Sequence, residues 1–270
     1  MTTPRRLLLA LAASLALAAL SATPALAVVG GNNASAGEYP AVAQITFGKG
    51  FLCTGTLIAP DTVLTAGHCS SLTGAAVASP AGWPAALIDV RIGNDRYGTG
   101  GELVPVSKVT LNPDYLLTQG YDISLLKLSR NSTKTPVKVS GTGETALWAP
   151  STLETIVGWG ATSEGGDSPD ILQEAQVPVT THQTCNDAYD GGIDEQTMLC
   201  AGYPQGGTDT CQGDSGGPMF GRTSTGVLRV VGTTSFGTGC ARKGIPGVYG
   251  RVGDSVLREW IRSQAPAGVA

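Results

Sequence analysis

Apolar and polar residues alternate along much of this chain in short runs. Ile88-Asp89-Val90-Arg91-Ile92 is one, and Leu153-Glu154-Thr155-Ile156-Val157-Gly158-Trp159 is another. A period of two sends successive side chains to opposite faces of a strand, so each run predicts a strand with one buried face. Comparable runs span Val42 to Phe47, Val104 to Leu111, Ile123 to Leu128, Leu172 to Val179 and Leu228 to Thr234. Turn formers separate them, and 38 glycines supply the punctuation that many short strands need. The pattern predicts an all-β barrel or sandwich. Helical periodicity appears mainly at the end. There Val256, Leu257, Trp260 and Ile261 share a face, with Arg258, Glu259 and Arg262 opposite and Asp254 as N-cap. Ser70 to Pro84 reads as a surface loop, and Ser129 to Thr145 as a connection between two halves.

The first 27 residues break this pattern. Arg5-Arg6 precedes an uncharged run from Leu7 to Leu20 and a small-residue stretch ending Ala25-Leu26-Ala27. A basic start, an apolar middle and an Ala-x-Ala end describe a cleavable secretory signal. As a membrane span the run is short, since about 20 apolar residues are needed. The arginine pair also resembles a weak twin-arginine export signal. Removing 27 of the 270 residues leaves 243, enough for a substantial core. The segment takes two of the 17 basic residues and no acid, so 15 cations face 21 anions, a net charge of −6. Such a chain offers no broad basic surface for nucleic acid, and no second apolar run approaches a membrane span. All six cysteines lie beyond the signal, at 53, 69, 185, 200, 211 and 240. An even count on an exported chain points to disulfides, although the residues alone select no pairing. Zinc is the weaker use, because no Cys-x-x-Cys pair occurs and the chain has two histidines.

The densest chemical signal is Asp209-Thr210-Cys211-Gln212-Gly213-Asp214-Ser215-Gly216-Gly217-Pro218. A glycine-bracketed serine presents its hydroxyl and lets backbone N–H groups face a developing oxyanion. Taken alone the tetrapeptide is also ordinary turn composition. Gly213-x-Ser215-x-Gly217 fits the nucleophile elbow of α/β-hydrolases, but that fold places its histidine after the serine and a helix after the elbow. No histidine follows Ser215, and Pro218 opens a strand-like run. The esterase reading fails. Of the two histidines, His182 lies in a polar stretch and reads as solvated. His68 stands beside Cys69 in Leu64-Thr65-Ala66-Gly67-His68-Cys69, between strand-like segments, and is the candidate base. Asp122 heads the apolar run Ile123-Ser124-Leu125-Leu126, where it caps a strand or orients an imidazole.

LTAGHC, DISLL and CQGDSGGP, in the order His, Asp, Ser, closely resemble the chymotrypsin-like serine proteases of trypsin type. The likeness runs from Val28-Val29-Gly30-Gly31 to the terminal helix. It implies one peptidase domain over 28–270, made of two six-stranded antiparallel β-barrels (28–140 and 141–270) with a C-terminal helix. His68, Asp122 and Ser215 would form the catalytic triad, and the N–H groups of Gly213 and Ser215 the oxyanion hole. The implied disulfides are Cys53–Cys69, Cys185–Cys200 and Cys211–Cys240.

The resemblance also assigns a substrate pocket. Asp209, six residues before Ser215, takes the place of the acid at its base, with Thr210 beside it. Ser235-Phe236-Gly237 and the segment at Gly247 match its walls. A carboxylate at the end of a slot favours Lys or Arg at the cleaved bond. Gly67, Phe236 and Thr210 depart from the residues most common in the family, alanine, tryptophan and serine, without removing a chemical group the mechanism uses. In the family a freed apolar N-terminus pairs with the acid before the nucleophile, which here matches Val28 with Asp214. No Lys or Arg lies between Arg6 and Val28, so signal removal itself is expected to free Val28. No metal or cofactor is called for, and Ser70 to Leu87 holds no acid for the calcium site of some relatives. The expected partners are protein or peptide substrates and protein protease inhibitors, for a secreted monomer. Asn33 and Asn131 begin glycosylation sequons, a weak signal. A catalytically silent relative is the competing class, and such proteins usually lose a triad member.

Overall fold

A computed structural model describes residues 28–48, 50–71, 82–253 and 255–270. The expected signal (1–27), Asp254 and most of the Ser70–Pro84 loop lie outside them. A two-residue strand, β1 (Asn32–Asn33), is followed by β2 (Val42–Phe47), β3 (Gly50–Ala59), β4 (Thr62–Thr65), β5 (Ile88–Ile92), β6 (Glu102–Leu111) and β7 (Ser124–Leu128). These last six close into an antiparallel barrel in the order β2-β3-β4-β7-β6-β5. Its interior is filled by the inward residues of the alternating runs, among them Ile45, Val90, Ile92, Val104 and Leu126.

The second half comprises β8 (Leu153–Gly158), β9 (Gln173–Pro178), helix α1 (His182–Ala188), β10 (Met198–Ala201), β11 (Pro218–Arg222), β12 (Leu228–Phe236), β13 (Gly247–Arg251) and helix α2 (Val256–Gln264). Its sheet runs β1-β9-β8-β11-β12-β13-β10. An isolated bridge between Val179, just past β9, and Ala201 at the end of β10 joins the two ends of the six-strand set. The seventh strand is β1, which crosses from the start of the chain to pair with β9. Between the two β units lies an apolar seam that includes Tyr39, Leu64, Ile123, Trp159 and Phe220, sealed by Leu257 and Ile261 of α2.

The chymotrypsin-like, all-β architecture is the one expected. Two local expectations change, both at helix α2. Helix α2 is capped by Ser255, whose hydroxyl accepts from the Arg258 N–H. Arg258 lies on the buried side, and Val256 is exposed. The reason is polar: Arg258 donates to the backbone oxygens of Ser140 (2.9 Å) and Ala270 (2.6 Å), which an apolar side chain there could not satisfy. The polar stretch at His182 forms a short helix capped by Thr181, with His182 itself exposed. Among the described residues no helix is long and apolar enough to cross a membrane.

Candidate active site

Strand β4 delivers His68 to the seam. Beyond Thr65 the chain turns at Gly67, whose carbonyl accepts from the Ser70 and Ser71 N–H groups. The His68 N–H donates to Asp122 Oδ1 at 2.8 Å, and its ring Nδ1 lies 2.9 Å from Asp122 Oδ2. An ionised carboxylate only accepts, so Nδ1 carries the ring hydrogen and Nε2 of the neutral ring keeps its lone pair. Burial opposes protonation of His68, and the hydrogen bond and charge of Asp122 outweigh it, lifting the imidazole above its ordinary pKa. Asp122 is itself buried. Ser235 Oγ, from β12 of the other half, donates to its Oδ2 at 2.5 Å. Gly67 is tightly placed: a β-carbon there would meet Asp122 Oδ1 and the Tyr115 ring at 3.1 Å. The Tyr115 ring thus fills the space beside this glycine.

The Ser215 loop is pinned from both barrels. Thr54 of β3 donates its N–H to Ser215 O (2.9 Å) and its hydroxyl to Gly213 O (3.0 Å). Gly216 and Thr234 of β12 bond to one another's loop, Gly216 N–H to Thr234 O and Thr234 N–H to Gly217 O. Gly216 has φ 74°, and a β-carbon there would fall 2.0 Å from Thr65 Oγ1, so only glycine fits. The peptide before Gly213 is anchored through Gln212 O, which accepts from Ala161 N–H at 2.7 Å. The peptide before Ser215 is anchored through Asp214 O, which accepts from Gly217 N–H at 2.8 Å. In a trans peptide the N–H points opposite the carbonyl. Both N–H groups are therefore held in fixed directions away from those anchors.

The three disulfides are Cys53–Cys69, Cys185–Cys200 and Cys211–Cys240. The first ties β3 to the residue after His68, and the last braces the loop that leads to Ser215. His68 and the sulfurs of Cys53 and Cys69 come within 4.8 Å of one another. Those sulfurs are bonded together, so they offer no thiolate to a metal.

Ser215 also borders a cavity of about 180 Å³ whose lining includes Asp209, Thr210, Ser235, Phe236, Gly237 and Gly247. All six expected pocket residues meet there. Asp209 is 5 % exposed. Its Oδ1 accepts from the Thr210 N–H (2.8 Å) and its Oδ2 from the Ala241 N–H (3.0 Å). Burial raises its pKa to about 6, against the pull of those donors. Gly247 is required by this acid, because a β-carbon would stand 2.5 Å from Asp209 Oδ1. Phe236 closes one wall and meets Tyr189 edge-on at 5.7 Å.

Asp214 is fully buried and accepts from the Gly160 (2.7 Å) and Cys211 (2.9 Å) N–H groups. Burial, with a smaller push from the Asp209 charge, raises its pKa to about 7. Glycine at 158 and 160 makes this space, since a β-carbon at either would overlap the carboxylate. Val28 is also fully buried, packed with Ile156, Met219 and Tyr249 of the second barrel, and Val29 bridges to Asp209.

The sequence model of the family described as Trypsin matches residues 28–261. The chain belongs to the trypsin family. It is 41 % identical over 245 residues to "Trypsin" of Saccharopolyspora erythraea, covering 88 % of this chain and all of that protein. "Trypsin-1" of Astacus astacus is 40 % identical over 255 residues, again 88 % of this chain and all of the relative. "Trypsin 5G1" of Aedes aegypti is 35 % identical over 243 residues, 87 % of this chain and 84 % of the relative. The protein is thus a trypsin-like serine endopeptidase. Within this family frame, the sequence reading missed Thr54, Gly158 and Gly160, and gave Ser235 to the pocket alone. A hydroxyl inside the apolar run of β3 and a tryptophan between two glycines were the available signals.

Proposed function

We propose that this trypsin-family enzyme is secreted, and that it cuts protein chains after Lys or Arg through an acyl-enzyme intermediate. The observation that carries the reading is Asp209. It is a buried carboxylate in a narrow cavity bordered by Ser215, and among the described residues it has no cationic partner. Burying an unpaired charge is costly, and a guanidinium or ammonium entering the cavity supplies the missing partner. Ser215 Oγ attacks the scissile carbonyl while His68 Nε2 takes its proton and returns it to the leaving amine. Asp122 holds the imidazole tautomer and stabilises the imidazolium. The N–H groups of Gly213 and Ser215 receive the oxyanion, aided by the carbonyl anchors behind them. Water then repeats the cycle on the ester.

Val28 completes the site. Freed by signal removal, its ammonium would pair with Asp214, a buried acid that two glycines leave room for. Both anionic sites then acquire cations, one permanent and one brought by substrate. The test is hydrolysis of chromogenic Arg, Lys and Phe amides, beside Ser215→Ala. Cleavage of the Arg and Lys amides, abolished in the variant, is expected. Preference for Phe overturns the pocket assignment, and activity surviving Ser215→Ala overturns the nucleophile.

A further inference from the structure

An ion pair clasps the outside of the cavity wall. Glu164, in the loop after β8, meets Arg242, in the loop between β12 and β13, in a two-pronged contact. Arg242 Nε donates to Oε2 at 2.9 Å and Nη2 to Oε1 at 2.5 Å. Glu164 Oε2 also accepts from the Cys240 N–H at 3.4 Å. Cys240 is a cavity residue and is disulfide-linked to Cys211, another one. The same loop touches a third, since the Gly165 N–H donates to Gln212 Oε1 at 3.4 Å. Gly239, also on the wall, is crowded by the pair itself. With φ 78°, a β-carbon there would lie 2.2 Å from Arg242 Nε and 2.5 Å from Glu164 Oε2. The pair therefore lies against the wall rather than free in solvent, and the chain keeps a glycine where it passes.

We propose that Glu164 and Arg242 are positioning residues for the substrate side chain. By tying the loop after β8 to the Gly239-Cys240 wall, they fix the cavity entrance before substrate arrives. A bidentate guanidinium–carboxylate contact suits this task, because its two parallel hydrogen bonds fix orientation as well as distance. The pair touches neither His68 nor Asp122, so its effect falls on binding rather than on the chemical step. Both side chains are about half exposed, 43 % and 52 %, so salt screens the contact.

The inference rests on the Lys/Arg reading for its kinetic arm and on the geometry alone for its second arm. Glu164→Ala, Arg242→Ala, the double variant and the exchanged pair Glu164→Arg/Arg242→Glu are compared by KM and kcat on an Arg amide. Benzamidine inhibition reads the cavity without chemistry. Hydrogen exchange of segment 237–246 reads wall mobility whatever the substrate. Each single variant is expected to raise KM and the benzamidine Ki about threefold at unchanged kcat and to quicken exchange. The double is expected to be no worse than the singles, and the exchanged pair to recover part of the loss. In about 1 M NaCl the unaltered enzyme should approach the variants. Unchanged KM and exchange in both singles, additive losses in the double, or a fall in kcat at constant KM would overturn the clasp. If the unaltered enzyme ignores Arg and Lys amides, the substrate reading falls. In that event quickened exchange in both singles still upholds the clasp, and unchanged exchange removes it.

Discussion

Asp209 shows how much one residue carries. Its carboxylate is held by two backbone donors yet raised to a pKa of about 6 by burial. A cationic ligand needs the ionised form. As pH falls through about 6, protons compete with the ligand, and affinity is lost at about tenfold per pH unit below that point. Benzamidine Kd measured by calorimetry on His68→Ala protein, where the imidazole cannot contribute, should stay level above pH 7 and rise steadily below pH 6. A flat profile down to pH 4.5 would contradict the assignment. The residues named in sequence motifs were legible because scarcity and order constrained them: two histidines, one of them beside a cysteine, and a serine amid glycines. Thr54, Ser235 and Glu164 act through contacts 113 to 159 positions distant in two cases and 78 in the third. No local pattern announces such contacts.

Among elements, β8 is the most instructive. Its far end carries Gly158 and then Gly160, which make room for Asp214, while near its start Glu154 points into the protein. Glu154 is 2 % exposed, its Oε1 has no hydrogen-bond partner among the described residues, and burial raises its pKa to about 8. The folded state thus holds a proton that the unfolded chain releases near pH 4.5. Stability from this group is complete below that value, declines as pH rises from there, and is fully lost above about 8. Glu154→Gln keeps the shape and removes the charge. It should stabilise the protein on the order of 2 kcal/mol at pH 8.5, and little at pH 4.5, in denaturant titrations. Equal effects at the two pH values would show that Glu154 is ionised throughout. Strand β5 was readable because its burial alternates, complete at Ile88, Val90 and Ile92 and partial at Asp89 and Arg91 between them. Strand β4 is buried at all four positions and β10 likewise, so neither has a period to detect.

At the scale of the molecule, closure was the hidden feature. Nothing local predicts that β1 crosses to β9, or that Val179 and Ala201 join the ends of the second sheet. Ahead of that crossing Val28 is buried among Ile156, Met219 and Tyr249 of the second half. N-terminal sequencing of exported, fully active protein is expected to read Val-Val-Gly-Gly. A longer start on fully active enzyme would rule out activation by signal removal alone. The family's architecture puts the serine loop between β3 of one barrel and β12 of the other, so the site exists only where the halves meet.

The most direct test of the whole reading is the ratio of kcat/KM on matched Arg and Phe amides, for the unaltered enzyme and for Asp209→Ser. The expected ratio is at least about 10³ in favour of Arg, collapsing toward unity or below in the variant while Phe cleavage persists. A ratio that Asp209→Ser leaves unchanged would contradict that reading.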